Sequence, residues 1–243
     1  RISQETGLNI IMGTGFYVYS SHPEQLKNMS EKEIADLMIK EIREGADGTN
    51  IKAGVIGEIG ISEIFNEEER RVLRASAIAH KETGVGILVH INPWTTNGLE
   101  SVEILLSMGV DPKRIAISHI DVENRLDYIL KLLEYGVYVE FDNFGKEYYV
   151  DREVRNAGYG LFVTDVERVK LVKLLIDKGY LNQILLSCDV CLKTCLRTYG
   201  AWGYDHLLTN IIPMMEDEGI TQDQIDTMLK TNPQNWLDND KGE

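Results

Sequence analysis

The sequence predicts an α/β fold, a TIM-type (β/α)8 barrel, on the basis of two patterns. Short apolar runs rich in Ile, Val and Leu recur at intervals of roughly 30 to 45 residues, with amphipathic helical patterns between them. Continuous apolar runs of this kind are typical of parallel strands that are buried on both faces. Polar residues close several runs, at the strand end where such a barrel carries its functional site.

Six apolar runs predict the strands, and each is short enough to be a strand rather than a helix. They cover residues 9–16, 53–60, 86–91, 114–119, 136–141 and 183–189. Because consecutive runs are separated by helical patterns, we expect neighbouring strands to be parallel and joined by crossover helices.

Five longer segments carry apolar residues at helical spacing with charges on the opposite face. They predict outer helices over residues 31–44, 67–83, 96–108, 124–135 and 165–178. Ser30 and Glu33 form a capping-box pattern at the start of the first helix. Glycines that can adopt a left-handed conformation follow the helical segments, namely Gly45, Gly84, Gly109, Gly136 and Gly179.

Six βα units are two fewer than a closed barrel of this class contains. We therefore expect the chain to lack the first two units of the barrel and to form one domain over residues 1–243, with no linker in the sequence. The alternative is an open, doubly wound sheet of six strands, which would require no missing strands.

Composition and charge limit the partners of the protein. The net charge of −14 disfavours nonspecific binding to nucleic acid or to an anionic membrane. No apolar run approaches the roughly 20 residues that a membrane span needs, and the N-terminus lacks a secretory pattern. Cys188, Cys191 and Cys195 are too clustered for a disulfide scaffold. These features favour a cytoplasmic enzyme with a small-molecule substrate, and a homodimer is plausible for such a barrel.

Four predicted strands end in residues that can bind a metal ion. Glu58 closes AGVIGEIG, His90 closes GILVHI, and His119 and Asp189 close the fourth and sixth runs. Any one of them alone could be a helix cap or a hydrogen-bonded turn residue. All four at the same end of parallel strands point to a site for zinc or a similar divalent ion. Two ions there would convert a water into a hydroxide nucleophile, which predicts hydrolysis.

Several segments in order resemble the phosphotriesterase-like branch of the amidohydrolase superfamily. They are AGVIGEIGISE, the histidines of the next two strand ends, LLSCD, GYDHLLTNIIP and TNPQNWL. The resemblance runs from Glu5 to Leu237. It is closest to the phosphotriesterase homology proteins, in which a glutamate bridges two metal ions where other relatives use a carboxylated lysine.

The resemblance implies a role for each strand-end residue. Glu58 matches the bridging glutamate, while the lysine of other relatives would fall at Gly57. His90 and His119 match the ligands of the more exposed metal. Asp189 matches the aspartate that binds the more buried metal and takes a proton from the attacking water. The implied cofactor of the complete protein is two Zn²⁺ ions.

One feature of the branch is absent from this sequence. The first strand of those proteins ends in a His-x-His pair that completes the buried metal site, and no such pair occurs among the five histidines here. With the pair supplied upstream, we expect an active hydrolase. Without it, the alternative is a catalytically silent metal-binding protein.

The loops after two strands carry candidate substrate-binding residues. Lys146 and Tyr149 follow the fifth strand, and Arg197 and Tyr199 follow the sixth. Cationic and phenolic groups near a metal centre would hold an anionic substituent, although solvated loop charges are the simpler alternative. The expected reaction is hydrolysis of an ester or lactone, including a phosphorylated sugar lactone. Hydrolysis of an organophosphate or phosphodiester is the alternative reaction.

Overall fold

Six parallel strands lie side by side in the same order as they occur in the chain. The structure, a computed structural model, describes residues 1–156, 160 and 162–238. The predicted domain also includes residues 157–159, 161 and 239–243, which lie outside the described residues. Sequential order is that of a barrel wall, whereas a doubly wound sheet reverses its order at a switch point. The predicted barrel-type fold is therefore confirmed, with six parallel strands among the described residues.

The strands are shorter than the apolar runs that predicted them. They are β1 (Gly13–Thr14), β2 (Val55–Ile61), β3 (Ile87–Ile91), β4 (Ile115–Ile117), β5 (Tyr138–Phe141) and β6 (Ile184–Leu186). Strand β1 is reduced because it lies at the edge of the sheet, where it pairs only with β2 and leaves Ile10 and Ile11 exposed. Strands β4 and β6 end early because the chain turns at His119 and Asp189, which have positive φ angles of 60° and 36°.

The described residues form ten helices, and the five that have nine or more residues agree closely with the five predicted segments. The ten helices are α1 (Ile2–Thr6), α2 (Glu31–Arg43), α3 (Glu67–Thr83), α4 (Asn97–Ser107), α5 (Leu126–Glu134), α6 (Arg152–Asn156), α7 (Asp165–Asp177), α8 (Ile212–Asp217), α9 (Gln222–Asp226) and α10 (Asn232–Leu237). The Ser30 capping box is present at the start of α2. All five glycines predicted to follow helices have positive φ angles, which only glycine adopts without strain.

The apolar core lies between the sheet and the longer helices. Ile56, Ile87 and Ile117 of the strands are fully buried, as are Leu73 of α3 and Leu132 of α5. This packing fixes the positions of the strands, so that the residues at their carboxyl ends converge on one side of the sheet.

Candidate metal centre

Three side chains from neighbouring strands meet at the carboxyl end of the sheet. Glu58 lies within β2 at an irregularity in its pairing with β3. His90 is the penultimate residue of β3, and His119 comes two residues after β4. Each offers one ligand atom, and within the described part of the chain these atoms lie within 4.8 Å of one another.

The three side chains lie close together, and the two histidines are at hydrogen-bond distance from each other. His90 Nδ1 lies 2.7 Å from His119 Nε2, and the Glu58 carboxylate oxygens lie 3.7 Å from His119 Nε2 and 3.9 Å from His90 Nδ1. Two imidazole nitrogens and a carboxylate are a donor set that binds zinc and similar divalent ions. The residues present therefore fit a metal ion at this position.

The neighbouring position cannot supply the carboxylated lysine of other relatives. A Cβ added to Gly57 would come within 2.7 Å of the Leu88 Cβ and 2.8 Å of the Leu88 carbonyl oxygen. Gly57 also has a φ angle of 156°. A side chain at residue 57 is excluded by these contacts, so in this chain the carboxylate that β2 contributes to the centre belongs to Glu58.

The surroundings of the two histidines give them different acidities. Burial, together with the positive charges of His119 and Lys146, lowers the pKa of His90 to about 3, so its imidazole is neutral. Burial also acts to lower the pKa of His119, but the Asp142 carboxylate outweighs it and raises that pKa to about 9. Burial raises the pKa of Glu58, against the opposing effect of His119.

Asp142 supports His119 and was not identified from the sequence. Its Oδ2 lies 2.9 Å from His119 Nδ1 and also accepts a hydrogen bond of 2.9 Å from the His119 backbone N–H. A carboxylate on one ring nitrogen orients the other nitrogen towards a metal. The available signal was its place directly after β5, since the other candidate ligands also follow strands.

Tyr17 is a second residue of the centre that the sequence did not reveal. Its hydroxyl lies 3.1 Å from His90 Nε2, with the two ring centroids 4.5 Å apart. Burial, together with the negative charges of Glu58 and Asp189, raises the pKa of Tyr17 to about 12. The phenol is therefore protonated and can donate a hydrogen bond at the centre.

Asp189 lies outside the group of three and contacts Lys146 instead. The Lys146 ammonium forms an ion pair with Asp189 Oδ2. Only 6% of Lys146 is exposed, so this residue, predicted to bind substrate from a loop, is an interior part of the centre.

The other three predicted substrate-binding residues are on the surface. Tyr149 and Tyr199 are 79% and 60% exposed. Arg197 pairs with Asp205 at 2.8 Å and donates a hydrogen bond to the Trp202 carbonyl. The structure does not bring these three side chains together with the strand-end ligands.

The remaining histidines have structural partners. His80 Nδ1 lies 2.8 Å from the Val85 carbonyl oxygen, His22 Nδ1 lies 2.6 Å from Glu68, and His206 Nε2 lies 2.8 Å from Asp165. The three cysteines are free thiols. Among the described residues, no helix has both the length and the apolar character needed to cross a membrane.

Comparison with known proteins shows the family of this chain. The model of the phosphotriesterase family matches residues 1–237. The phosphotriesterase homology protein of Escherichia coli K12 is 38% identical over 237 residues, which cover 97% of this chain and 76% of that protein. The human N-acetyltaurine hydrolase is 37% identical over 242 residues, covering 98% of this chain and 67% of that protein.

Solved structures show the same fold. The phosphotriesterase homology protein from E. coli, complexed with phosphate in its active site, superimposes with a TM-score of 0.88 at 36% identity, covering 98% of this chain and 77% of that chain. A mutant of a phosphotriesterase-like lactonase from Deinococcus radiodurans gives a TM-score of 0.83 at 31% identity, covering 98% and 75%. On its sequence, its fold and its strand-end donor set, this chain belongs to the phosphotriesterase family of metal-dependent hydrolases.

Proposed function

We propose that the protein is a metal-dependent hydrolase that cleaves an ester or lactone, including a phosphorylated sugar lactone. The observation that carries this proposal is the convergence of Glu58, His90 and His119 within 4.8 Å at the carboxyl ends of parallel strands. A divalent cation bound there, with Zn²⁺ the expected ion, would act as a Lewis acid that lowers the pKa of a water and polarises the oxygen of the scissile group.

Each side chain of the centre has a separate role in the proposed reaction. Glu58, His90 and His119 hold the cation, and Asp142 fixes the ring of His119 through its contact of 2.9 Å with Nδ1. Asp189 is the proton acceptor for the attacking water. Its carboxylate forms an ion pair with the adjacent Lys146 ammonium. Tyr17 donates a hydrogen bond to the substrate oxygen on which negative charge develops.

Hydrolysis of an N-acyl amide is a second candidate function. The vertebrate relatives at 37–38% identity are N-acetyltaurine hydrolases, which act on an amide of an anionic amine. An amide carbonyl is attacked in the same way as an ester, but its amine leaving group also needs a proton. Asp189 would return the proton that it takes from water. Organophosphate hydrolysis is the third reaction, since a related structure from D. radiodurans is an organophosphorus hydrolase.

A substrate panel tests the proposal. Protein loaded with Zn²⁺ is assayed on a sugar lactone, its phosphorylated form, N-acetyltaurine and a phosphate triester. We expect the lactones to have the highest kcat/KM, and we expect His119→Asn to abolish their cleavage. Faster cleavage of N-acetyltaurine or of the triester would replace the lactone assignment. A metal-loaded, folded protein that cleaves none of the four would support the catalytically silent alternative.

A further inference from the structure

Lys146 lies beside Asp189 at the metal centre and therefore affects how many cations the centre can hold. Its ammonium group contacts Asp189 Oδ2, and the side chain is 8% exposed. Asp189 is the residue that the family resemblance assigns to a second metal ion. In this chain, that carboxylate forms an ion pair with Lys146 and a hydrogen bond with the Cys191 thiol.

The backbone around Lys146 is held by a buried polar network, so the lysine is fixed in place. Arg168, which is fully buried, donates a hydrogen bond of 3.1 Å to the Lys146 carbonyl. Asp165 accepts hydrogen bonds from the Gly145 N–H at 3.0 and 3.1 Å and pairs with both Arg168 and His206. These hydrogen bonds hold the backbone of the turn at Gly145 and Lys146. From this backbone position, the Lys146 side chain reaches the Asp189 carboxylate.

The charges at the centre are balanced by one divalent cation together with Lys146. Three carboxylates lie there, those of Glu58, Asp142 and Asp189, and carry three negative charges. One divalent cation on Glu58, His90 and His119 adds two positive charges, and Lys146 adds the third. A second divalent cation beside Lys146 would leave a surplus of two positive charges before any water loses a proton. An uncompensated charge in a largely buried site is costly.

We propose that the Lys146 ammonium takes the place of a second metal ion at Asp189, so that this chain binds one divalent cation, on Glu58, His90 and His119. The inference rests on the proposed function for the identity of the ligands. It assigns Lys146 as a positioning residue that holds the Asp189 carboxylate, rather than as a group that binds the substrate.

Metal stoichiometry tests this inference without an activity assay. The 243-residue chain is dialysed to equilibrium against Zn²⁺, and bound zinc per chain is determined by elemental analysis. We expect one zinc in the wild type, in Lys146→Arg, which keeps the charge, and in Lys170→Met, an exposed control on α7. Lys146→Met frees Asp189 and should bind a second zinc at least about tenfold more tightly than the wild type does. Two zinc ions in the wild type, or one in Lys146→Met, would overturn the inference.

A double variant keeps the test decisive where Lys146→Met does not fold. Lys146→Met combined with Asp189→Asn removes both members of the ion pair and leaves no unpaired buried charge. We expect its affinity for the first zinc to equal that of the wild type. A tenfold loss would show that Asp189 is itself a ligand and would refute the inference. One zinc with no hydrolysis would remove the proposed function alone, whereas two zinc ions with hydrolysis would remove this inference alone.

Discussion

A single oxygen of Asp142 lies 2.9 Å from His119 Nδ1 and also accepts a hydrogen bond of 2.9 Å from the His119 backbone N–H. Asp142 and His119 follow neighbouring parallel strands, β5 and β4, so the sheet itself sets this contact. With Nδ1 facing a carboxylate, Nε2 points to the space that His119 shares with Glu58 and His90.

Replacing Asp142 should weaken metal binding. Asp142→Asn keeps the shape of the side chain but removes the negative charge that holds the His119 ring. We expect the affinity for Zn²⁺ to fall by about 10–100-fold, which is typical for a lost outer-shell carboxylate. Competition with a chromophoric chelator measures this change. The exposed Asp217→Asn serves as the control, and equal affinities in the two variants would show that Asp142 does not support the site.

Removal of the Tyr17 hydroxyl should slow hydrolysis without releasing the metal. Tyr17→Phe deletes a donor that lies 3.1 Å from His90 Nε2. One hydrogen bond of about 0.5–1.5 kcal/mol corresponds to a loss of roughly 2–12-fold in kcat/KM on the lactone substrate. Zinc content should remain that of the wild type. The exposed Tyr204→Phe is the control, and a loss of zinc in Tyr17→Phe would assign the phenol to metal binding instead.

The buried Arg168 should be required for stability. It contacts Asp121 at 3.2 Å and Asp165 at 2.9 Å, and both Arg168 and Asp121 have fully buried side chains. Arg168→Met leaves these carboxylates without their cation, and breaking a buried pair in this way costs about 3–5 kcal/mol. Urea denaturation of Arg168→Met and of the exposed Arg152→Met measures the difference. A difference in the free energy of unfolding below about 1 kcal/mol would indicate that water solvates Asp121 and Asp165 in place of Arg168.

The pH dependence of stability should include a contribution from Glu140. Burial, with the negative charge of Asp142, raises the pKa of Glu140 from 4.5 to about 8. Between these values the unfolded chain releases the proton while the folded protein keeps it, so this group lowers the free energy of unfolding as pH rises through that range. Glu140→Gln retains an acceptor for the Ser118 hydroxyl and lacks the titration.

Thermal unfolding in EDTA, from pH 4.5 to 8, compares the variant with the wild type. We expect Glu140→Gln to gain stability relative to the wild type as pH increases, with a difference in Tm of at least about 2–4 °C at pH 8. Glu134→Gln, an exposed control on α5, should follow the wild type. Parallel profiles for all three proteins would contradict a protonated Glu140.

Local sequence signals predicted the elements well where the signals were strong. Helix α3 has the predicted bounds, because Asn66 caps its start and Gly84 adopts a left-handed conformation at its end. The strand bounds were too long, since an apolar run continues past the last ladder hydrogen bond. The turn at His119 depends on Asp142, a residue from another strand, which no local pattern reveals.

At the metal centre, the residues at strand ends were predictable, and the residues held by distant partners were not. Glu58, His90 and His119 were predicted from their place at strand ends, and the structure brings them together. Lys146 was predicted to bind the substrate from a loop, and its ion pair with Asp189 was not predicted, because Asp189 is 43 residues away in the sequence. Tyr17 lies 73 residues before His90, and its position depends on the loop that follows β1.

Zinc content per chain is the most direct test of the central claim that Glu58, His90 and His119 form a metal site. Elemental analysis of the wild type after dialysis against Zn²⁺ should give one ion per chain, and His90→Ala and His119→Ala should each lose it. His80→Ala, which changes a histidine outside the centre, should retain the ion in folded protein. A wild type without zinc, or His90→Ala and His119→Ala variants that keep it, would contradict the claim.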